Sequence, residues 1–275
     1  MTSLEFFTVL TLVLYTAGTF LGIGGMVRRS KASQNAGTAC MMLGFAAQTA
    51  SMAMGSHSLL PTGLSFGAYL QLMAWFLVLG GMAGWLKLRS VSPLFFTSPL
   101  ALIFFCMAAP FQEQAVRLPQ QLAAPFYALH IGSLFIAIGL MALGCGAGLL
   151  FMLLERTIKS KARMKGFWQD LPALSLLDKI NTLAVYAGFP LYTLGIVAGY
   201  LWAKPVFGVT LSADPKELFT LATWGLFATI FHNRLIYGWR GRKPALFMII
   251  LFALSVFSLV VINLFFTSHH SIMRQ

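Results

Sequence analysis

Five histidines are the side chains of this chain best suited to chemistry: His57, His130, His232, His269 and His270. Neutral imidazole is a common ligand for iron and other transition metals. An ionisable side chain inside a membrane is costly and usually has a function. Four of the five lie at or just beyond the same predicted membrane face, and His232 lies within a predicted span. This arrangement favours a bound metal or haem over a soluble active site.

The elements that position these histidines are apolar segments that fill most of the chain. Of its 275 residues, 58% are hydrophobic and 9% are charged. A soluble domain carries about 25% charged residues, so lipid must be the solvent for most of this surface. A helix needs about 20 apolar residues to cross the hydrocarbon core. Eight segments qualify as spans: 5–27, 35–54, 65–87, 93–110, 125–155, 181–203, 216–239 and 245–266.

The fold class predicted from these spans is an all-α, polytopic membrane helical bundle. It has about eight transmembrane helices, which together form a single integral membrane domain over residues 1–275. The fifth span is long and is expected to extend past the bilayer into the cytoplasm.

Lys and Arg gather at alternate connections, and this predicts how the chain is oriented. Connections 28–34, 87–92, 156–180 and 240–244 hold most of the 19 basic residues. Basic loops favour the cytoplasmic side, so both termini are predicted to lie outside, in the periplasm if the membrane is a bacterial inner membrane. Because topology accounts for the net charge of +12, the expected partner is the lipid bilayer and not a nucleic acid.

Two polar features lie at the predicted inner side. The cytoplasmic loop 156–180 is basic in its first half, and leucines alternate with polar residues in its second half. We interpret the second half as a short amphipathic helix on the inner leaflet, the alternative being a loop that only sets topology. Arg234, within the seventh span, is predicted to extend toward the inner headgroups.

The predicted spans bring some of the histidines together. His130 lies about one turn into the fifth span, and His269 and His270 follow the eighth span on the same side. Two such imidazoles on opposite sides of a flat ring would make bis-histidine haem ligation, provided that these two spans are neighbours. His232 could ligate a second metal or haem, or form a hydrogen bond between helices. His57, in a loop, has no assigned task.

Four stretches of the sequence carry a resemblance to a known family. They are LPALSLLDKINTLAVYAGFPL (171–191), GFPLYTLGIVAGYLWA (188–203), ADPKELFTLATWGLFATIFHNRLIYGWRGRKPA (213–245) and VVINLFFTSHHS (260–271). Together they resemble the cytochrome c assembly proteins, the haem-handling membrane proteins of the CcsA, CcmC and HemX kind. The resemblance covers roughly 125–271, and the first four spans are far less diagnostic.

The resemblance implies a set of haem ligands. His130 and His270 correspond to the family's axial ligands of haem b at the outer face, with His269 as the substitute for His270. His232 occupies the place of an inner haem ligand that some members have.

The resemblance also implies a haem-facing loop, whose positions here are Trp202, Phe207, Asp214 and the segment up to Trp224. The alternative interpretation of the aromatic residues is the interfacial belt common to membrane proteins. Lys216 could pair with haem propionates, since cations favour carboxylates, or could face lipid headgroups.

The sequence departs from the family pattern in the haem-facing loop, and this points to one branch of the family. Phe207, Leu211 and Ala213 stand where the cytochrome-assembling members carry tryptophan. This depletion favours the HemX-like or YpjD-like branch, whose members are less clearly assembly factors.

Three functions follow from these features. The first is haem handling in cytochrome c biogenesis, with no catalysis by this chain alone but a place in a haem lyase or cytochrome c synthase system with other maturation proteins. The second is a HemX-like membrane regulator or stabiliser of a soluble haem-biosynthesis enzyme, docked on 156–180. The third is a histidine-dependent ion or proton transporter, which the scarcity of carboxylates inside the spans disfavours.

Overall fold

The computed structural model describes residues 2–55, 62–63, 66–88, 90–109, 116–117, 124–160, 171–207 and 215–259. Eight helices lie within these ranges: α1 (Ser3–Arg28), α2 (Lys31–Gly55), α3 (Phe66–Leu88), α4 (Ser92–Ala108), α5 (Ala124–Lys159), α6 (Leu174–Phe207), α7 (Pro215–Ile236) and α8 (Arg242–Phe257). Each predicted span overlaps one of these helices. The strands β1 (Thr62–Gly63) and β2 (Val116–Arg117) form a two-residue antiparallel pair that was not predicted.

Four of the helices that the structure describes are long and apolar enough to cross a membrane. The qualifying segments are Ser3–Arg28, Gly67–Lys87, Leu129–Lys159 and Leu174–Leu201, and Ser92–Ala108 is a shorter apolar helix. The prediction of an all-α, multi-pass membrane protein is confirmed. The positions of the termini relative to the membrane stay a prediction.

The chain divides into two compact units. The first comprises Met1–Arg117 with Thr157–Pro172, and the second comprises Leu118–Arg156 with Ala173–Gln275. The first unit therefore holds α1 to α4, and the second holds α5 as far as Arg156 together with α6 to α8. A single membrane domain over the whole chain stays a prediction.

In the first unit, α1 and α2 form a tight helical hairpin. Thr2 and Glu5 form a capping box at the start of α1 through reciprocal bonds of 3.2 and 2.9 Å. Arg29 ends α1 in the left-handed region at φ 56°, and the Ser30 N–H donates to the carbonyl of Gly25 at 2.9 Å. The Ser30 N–H thus satisfies a carbonyl of the last turn that would otherwise lack a hydrogen-bond donor. The chain then reverses, and α2 begins at Lys31.

Glycines let the helices of this unit approach each other closely. A Cβ built on Gly37 of α2 would lie 2.6 Å from the backbone nitrogen of Gly22 on α1. A Cβ on Gly22 itself would lie 2.0 Å from the ring of Phe95 on α4, which is 1% exposed. A side chain at Gly37 would require the α1 backbone to shift, and one at Gly22 would require the buried Phe95 ring to shift.

Replacement of Gly22 by alanine is therefore expected to destabilise the protein by about 1–3 kcal/mol, the usual cost of overpacking. The matched control is Gly24→Ala in the same helix, because its added Cβ meets nothing within 4 Å. The control should leave stability unchanged or raise it by up to about 1 kcal/mol, since alanine favours the helix. Thermal unfolding in detergent measures both, and equal midpoints would contradict the close contact.

A buried chain of hydrogen bonds joins three helices of the first unit. The hydroxyl of Tyr15 on α1 donates to Oε1 of Gln48 on α2 at 2.6 Å. The Gln48 amide then donates to the carbonyl of Gln71 on α3 at 2.9 Å. Tyr15 and Gln48 are both fully buried, so each polar group needs these partners.

In the second unit, α6 begins earlier than the predicted span. The structure starts this helix at Leu174, so 174–180 forms its first turns and not a separate surface helix within the 156–180 loop. The reason is local, since Pro172 precedes the helix and no Gly or Pro interrupts the sequence from Ala173 to Ala187. The fifth helix likewise extends into that loop, as far as Lys159.

Candidate functional site

His130 lies on the second turn of α5, with its half-buried ring against α6. Its Nδ1 is 2.6 Å from the carbonyl oxygen of Gly195. A carbonyl oxygen only accepts hydrogen bonds, so we assign the ring proton to Nδ1. The other ring nitrogen, Nε2, then carries the free lone pair.

Two glycines of α6 let α5 approach closely here, and one of them makes room for the His130 ring. A Cβ on Gly199 would lie 2.6 Å from both Cε1 and Nδ1 of His130. A Cβ on Gly195 would lie 2.6 Å from the side chain of Leu134, one turn further along α5. Gly195 and Gly199 are four residues apart and so share one face of α6. We call these two glycines, with the Gly195 carbonyl, the histidine cradle.

The histidine cradle gives the imidazole the form that metal ligands take in proteins. Histidine ligands almost always donate their second ring N–H to a carboxylate, carbonyl or water, which fixes the tautomer and raises the basicity of the ligating nitrogen. His130 makes this bond with Gly195. One imidazole can fill one axial position of a metal, so a second ligand must come from elsewhere.

An aromatic pair, Phe189 of α6 and Trp224 of α7, joins these two helices. The Trp224 indole N–H donates to the hydroxyl of Thr193 on α6 at 3.0 Å, and the ring centroid lies 6.0 Å from that of Phe189. Trp224 is 37% exposed, so part of its ring faces outward. Lys216 is half-buried in the first turn of the same helix.

His232 lies near the end of α7 and differs from His130 in its surroundings. Its side chain is exposed on the surface of the second unit. The ring meets the edge of Tyr237 at a centroid distance of 6.0 Å and an interplanar angle of 64°. The structure therefore holds the two described histidines in different environments, one against a neighbouring helix and one facing outward.

Several predicted site residues lie outside the described part of the chain. His57, Asp214, His269 and His270 belong to this group, and Trp202 and Phe207 lie in α6 with side chains that are not described. The pairing of His130 with His270 or His269 stays a prediction. Among the residues that the structure does describe, no group of three or more His, Cys, Asp or Glu side chains could hold a metal ion.

Arg234 is buried, and the prediction that it extends to the headgroups is wrong. Its Nη2 donates to Oδ1 of Asp178 at 3.0 Å and to Oδ1 of Asn181 at 2.7 Å, and its Nη1 donates to the hydroxyl of Thr182. The side chain is 3% exposed. The guanidinium stays buried because three acceptors from α6 surround it. They supply the partners that a buried charge needs.

We call Arg234, Asp178, Asn181 and Thr182 the arginine cluster. Its sequence signal was an acidic and two polar side chains at spacings of three and four residues, which place all three on one face of a helix. Asp178 lies in the predicted 156–180 loop, whereas Asn181 and Thr182 lie in the predicted sixth span, 181–203, so the helix face that they share was not predicted.

Comparison with known proteins identifies the family. The sequence profile of the family described as "Cytochrome C assembly protein" matches residues 60–270. This range covers most of the chain, including His130, His232 and the arginine cluster. The chain belongs to the cytochrome C assembly protein family. Helices α1 and α2 lie before the matched range.

Individual members of the cytochrome C assembly family match shorter parts of the chain. A "Cytochrome c biogenesis protein CcsA" from Chlamydomonas reinhardtii is 32% identical over 159 residues, which is 58% of this chain and 44% of that protein. CcsA from a Synechococcus species is 46% identical over 79 residues, or 29% of this chain and 23% of that protein. CcsA from a Synechocystis species is 46% identical over 78 residues, or 28% and 23%. The chain thus spans less than half the length of these relatives.

Proposed function

We propose that this chain handles haem in cytochrome c biogenesis, with His130 as an axial ligand of the haem iron. The bond from Nδ1 of His130 to the carbonyl of Gly195 is the observation that carries the proposal. It leaves Nε2 as the only ring nitrogen able to ligate and holds the ring in place. The names of the CcsA relatives support a role in the same process.

The remaining ligands complete the proposal. His270 is the second axial ligand of an outer haem b, with His269 as its substitute. Bound haem would supply an iron atom that takes one imidazole on each side of its macrocycle. The residues proposed to face the haem are Trp202, Phe207, Asp214, Lys216 and Trp224. Of these, Trp224 has a half-exposed ring that offers a flat apolar surface.

His232 is proposed as the ligand of a second haem near the inner end of α7. Its exposed ring and the neighbouring edge of Tyr237 support this role. The membrane is proposed to be a bacterial inner membrane with periplasmic termini, because basic residues concentrate at alternate connections.

The branch of the family is also part of the proposal. The replacement of tryptophan by Phe207, Leu211 and Ala213 supports the HemX-like or YpjD-like branch. On that branch the chain binds haem and catalyses no covalent step itself. Thioether formation on an apocytochrome would depend on other maturation proteins. A soluble haem-biosynthesis enzyme is the alternative partner.

Haemin titration of the purified full chain in detergent tests the proposal. The wild type should give the absorption spectrum of a low-spin, bis-histidine haem. His270→Ala should lose that spectrum while His269→Ala keeps it, and His57→Ala serves as the control. A wild-type protein that stays colourless with added haemin would overturn the proposal, and pull-down of a soluble enzyme would then favour the regulator.

A substitution at the histidine cradle provides a second test. In Gly199→Ala the new Cβ would meet the His130 ring at 2.6 Å, so the ring must move away from Gly195. The ring would then lose its hydrogen bond to the Gly195 carbonyl. Loss of the hydrogen-bond partner of a ligating histidine usually weakens metal binding by about 10- to 100-fold. The matched control is Gly132→Ala on α5, where nothing lies within 4 Å of the new Cβ. Equal haem affinity in the two variants would contradict the cradle.

A further inference from the structure

The arginine cluster fixes how α7 is turned about its own axis. Three acceptors of α6, Asp178, Asn181 and Thr182, surround the Arg234 guanidinium. A guanidinium is a planar fork of five donors, so bonds on both Nη atoms fix its direction. Because the guanidinium is buried, rotation of α7 would leave its charge unpaired, which is costly.

The same cluster holds the turn between α7 and α8. Oδ1 of Asp178 also accepts the N–H of Gly241, the residue before α8, at 3.0 Å. The N–H groups of Tyr237 and Trp239 both donate to the carbonyl of Asn233, at 3.1 and 3.2 Å. Gly238 and Gly241 adopt positive φ angles of 61° and 77°, which glycine allows without strain. The turn is therefore tied to α6 at one end and to α7 at the other.

His232 precedes Arg234 by two residues on α7. At 3.6 residues per turn, two residues are about 200° apart, so the two side chains point in nearly opposite directions. Arg234 faces inward with 5% exposure, and His232 faces outward. Tyr237, whose ring meets the His232 ring at 6.0 Å, is the first residue of the tied turn. Both the histidine and its aromatic neighbour thus depend on the cluster.

We propose that the arginine cluster is the positioning device of His232, which it presents outward beside Tyr237 as a ligand for a flat metalloporphyrin. The inference rests on the proposed function, since it adds the residues that aim the second ligand. Arg234 acts through α7 and does not touch the porphyrin. A cluster that only holds the helices together would tolerate any change that keeps the unit folded.

Haemin binding in a His130→Ala background isolates the His232 site. In that background Arg234→Lys keeps the positive charge but loses the planar fork. We expect it to weaken haemin binding by about tenfold, which is typical when a residue that orients a metal ligand is changed. We also expect the haem absorption bands to shift. The matched control is Thr229→Val on the same helix, whose exposed hydroxyl bonds only its own helix, at the carbonyl of Gly225. Thermal unfolding confirms that each variant is folded.

The haemin affinity and absorption bands of the folded variants test the positioning role of the arginine cluster. Unchanged affinity and bands in folded Arg234→Lys would overturn it. Where that variant fails to fold, Thr182→Val removes one bond of the cluster and should shift binding in the same direction by less. An unaltered Thr182→Val site would then overturn the inference.

A failure of the proposed function is recognised separately. If His232→Ala binds haemin as well as its parent, His232 is not a ligand. Positioning is then read from maleimide labelling of His232→Cys in a chain whose three cysteines, Cys40, Cys106 and Cys145, are replaced by alanine. A labelling rate that Arg234→Lys changes supports a positioned side chain, and an equal rate refutes it.

Discussion

Replacing His130 with alanine is expected to abolish the low-spin haem spectrum of the outer site. Haem affinity should fall by more than about a hundredfold. Removing only the hydrogen-bond partner of a ligating histidine already costs about 10- to 100-fold, and here the ligand itself is removed. Haemin titration followed by absorbance measures the change. The fold should survive, since the side chain is only half-buried and lies near the start of α5.

Chemical rescue shows whether the imidazole is a ligand or a packing group. In His130→Gly, added imidazole should restore the bis-histidine bands, because the space beside Gly199 stays open. The neighbouring Gly132→Ala should bind like the wild type. Retention of the full low-spin spectrum in His130→Ala would rule out the assigned ligand.

Removal of the Asp178 carboxylate is expected to have the largest effect on stability. Asp178→Ala leaves the buried Arg234 charge unpaired, and breaking a buried pair in this way costs about 3–5 kcal/mol. The N–H of Gly241 also loses its acceptor. Unfolding in detergent by heat or denaturant measures the loss. A change below about 0.5 kcal/mol, typical of surface substitutions, would contradict the buried ion pair.

The double variant Asp178→Leu with Arg234→Leu separates pairing from packing. Replacing both charges with apolar residues is often neutral or stabilising, because neither charge then has to leave water. Nε of Arg234 is buried with no hydrogen-bond partner in the part of the chain that is described, so the cluster is not fully satisfied. We therefore expect the double variant to recover most of the stability that Asp178→Ala loses.

The architecture could be predicted from sequence because its signal is local. Length and apolarity over about 20 residues suffice to identify a span. The start of α7 at Pro215 and the start of α4 beside Pro93 follow from the fit of proline to a first helical turn. The extension of α6 to Leu174 was missed, because polar residues among leucines indicated a surface helix.

The candidate site could be predicted only in part. His130 was singled out by its residue type, by its position about one turn into the fifth span, and by the family resemblance. The carbonyl that orients it belongs to Gly195, 65 residues away, and no pattern in one sequence indicates which helix faces which. The same holds for Arg234, whose closest acceptors are 52 to 56 residues earlier in the chain. Side-chain chemistry was therefore predictable, and partners across helices were not.

The bond chain from Tyr15 through Gln48 to Gln71 has a consequence for insertion into the membrane. A newly made hairpin of α1 and α2 has no acceptor for the Gln48 amide, and an unpaired polar group in hydrocarbon costs several kcal/mol. In the folded unit α3 supplies that acceptor through the Gln71 carbonyl, so we expect the Gln48 amide to be satisfied only once α3 has packed against α2. Packing of the third helix is therefore expected to complete the hydrogen bonding of the α1–α2 hairpin during biosynthesis.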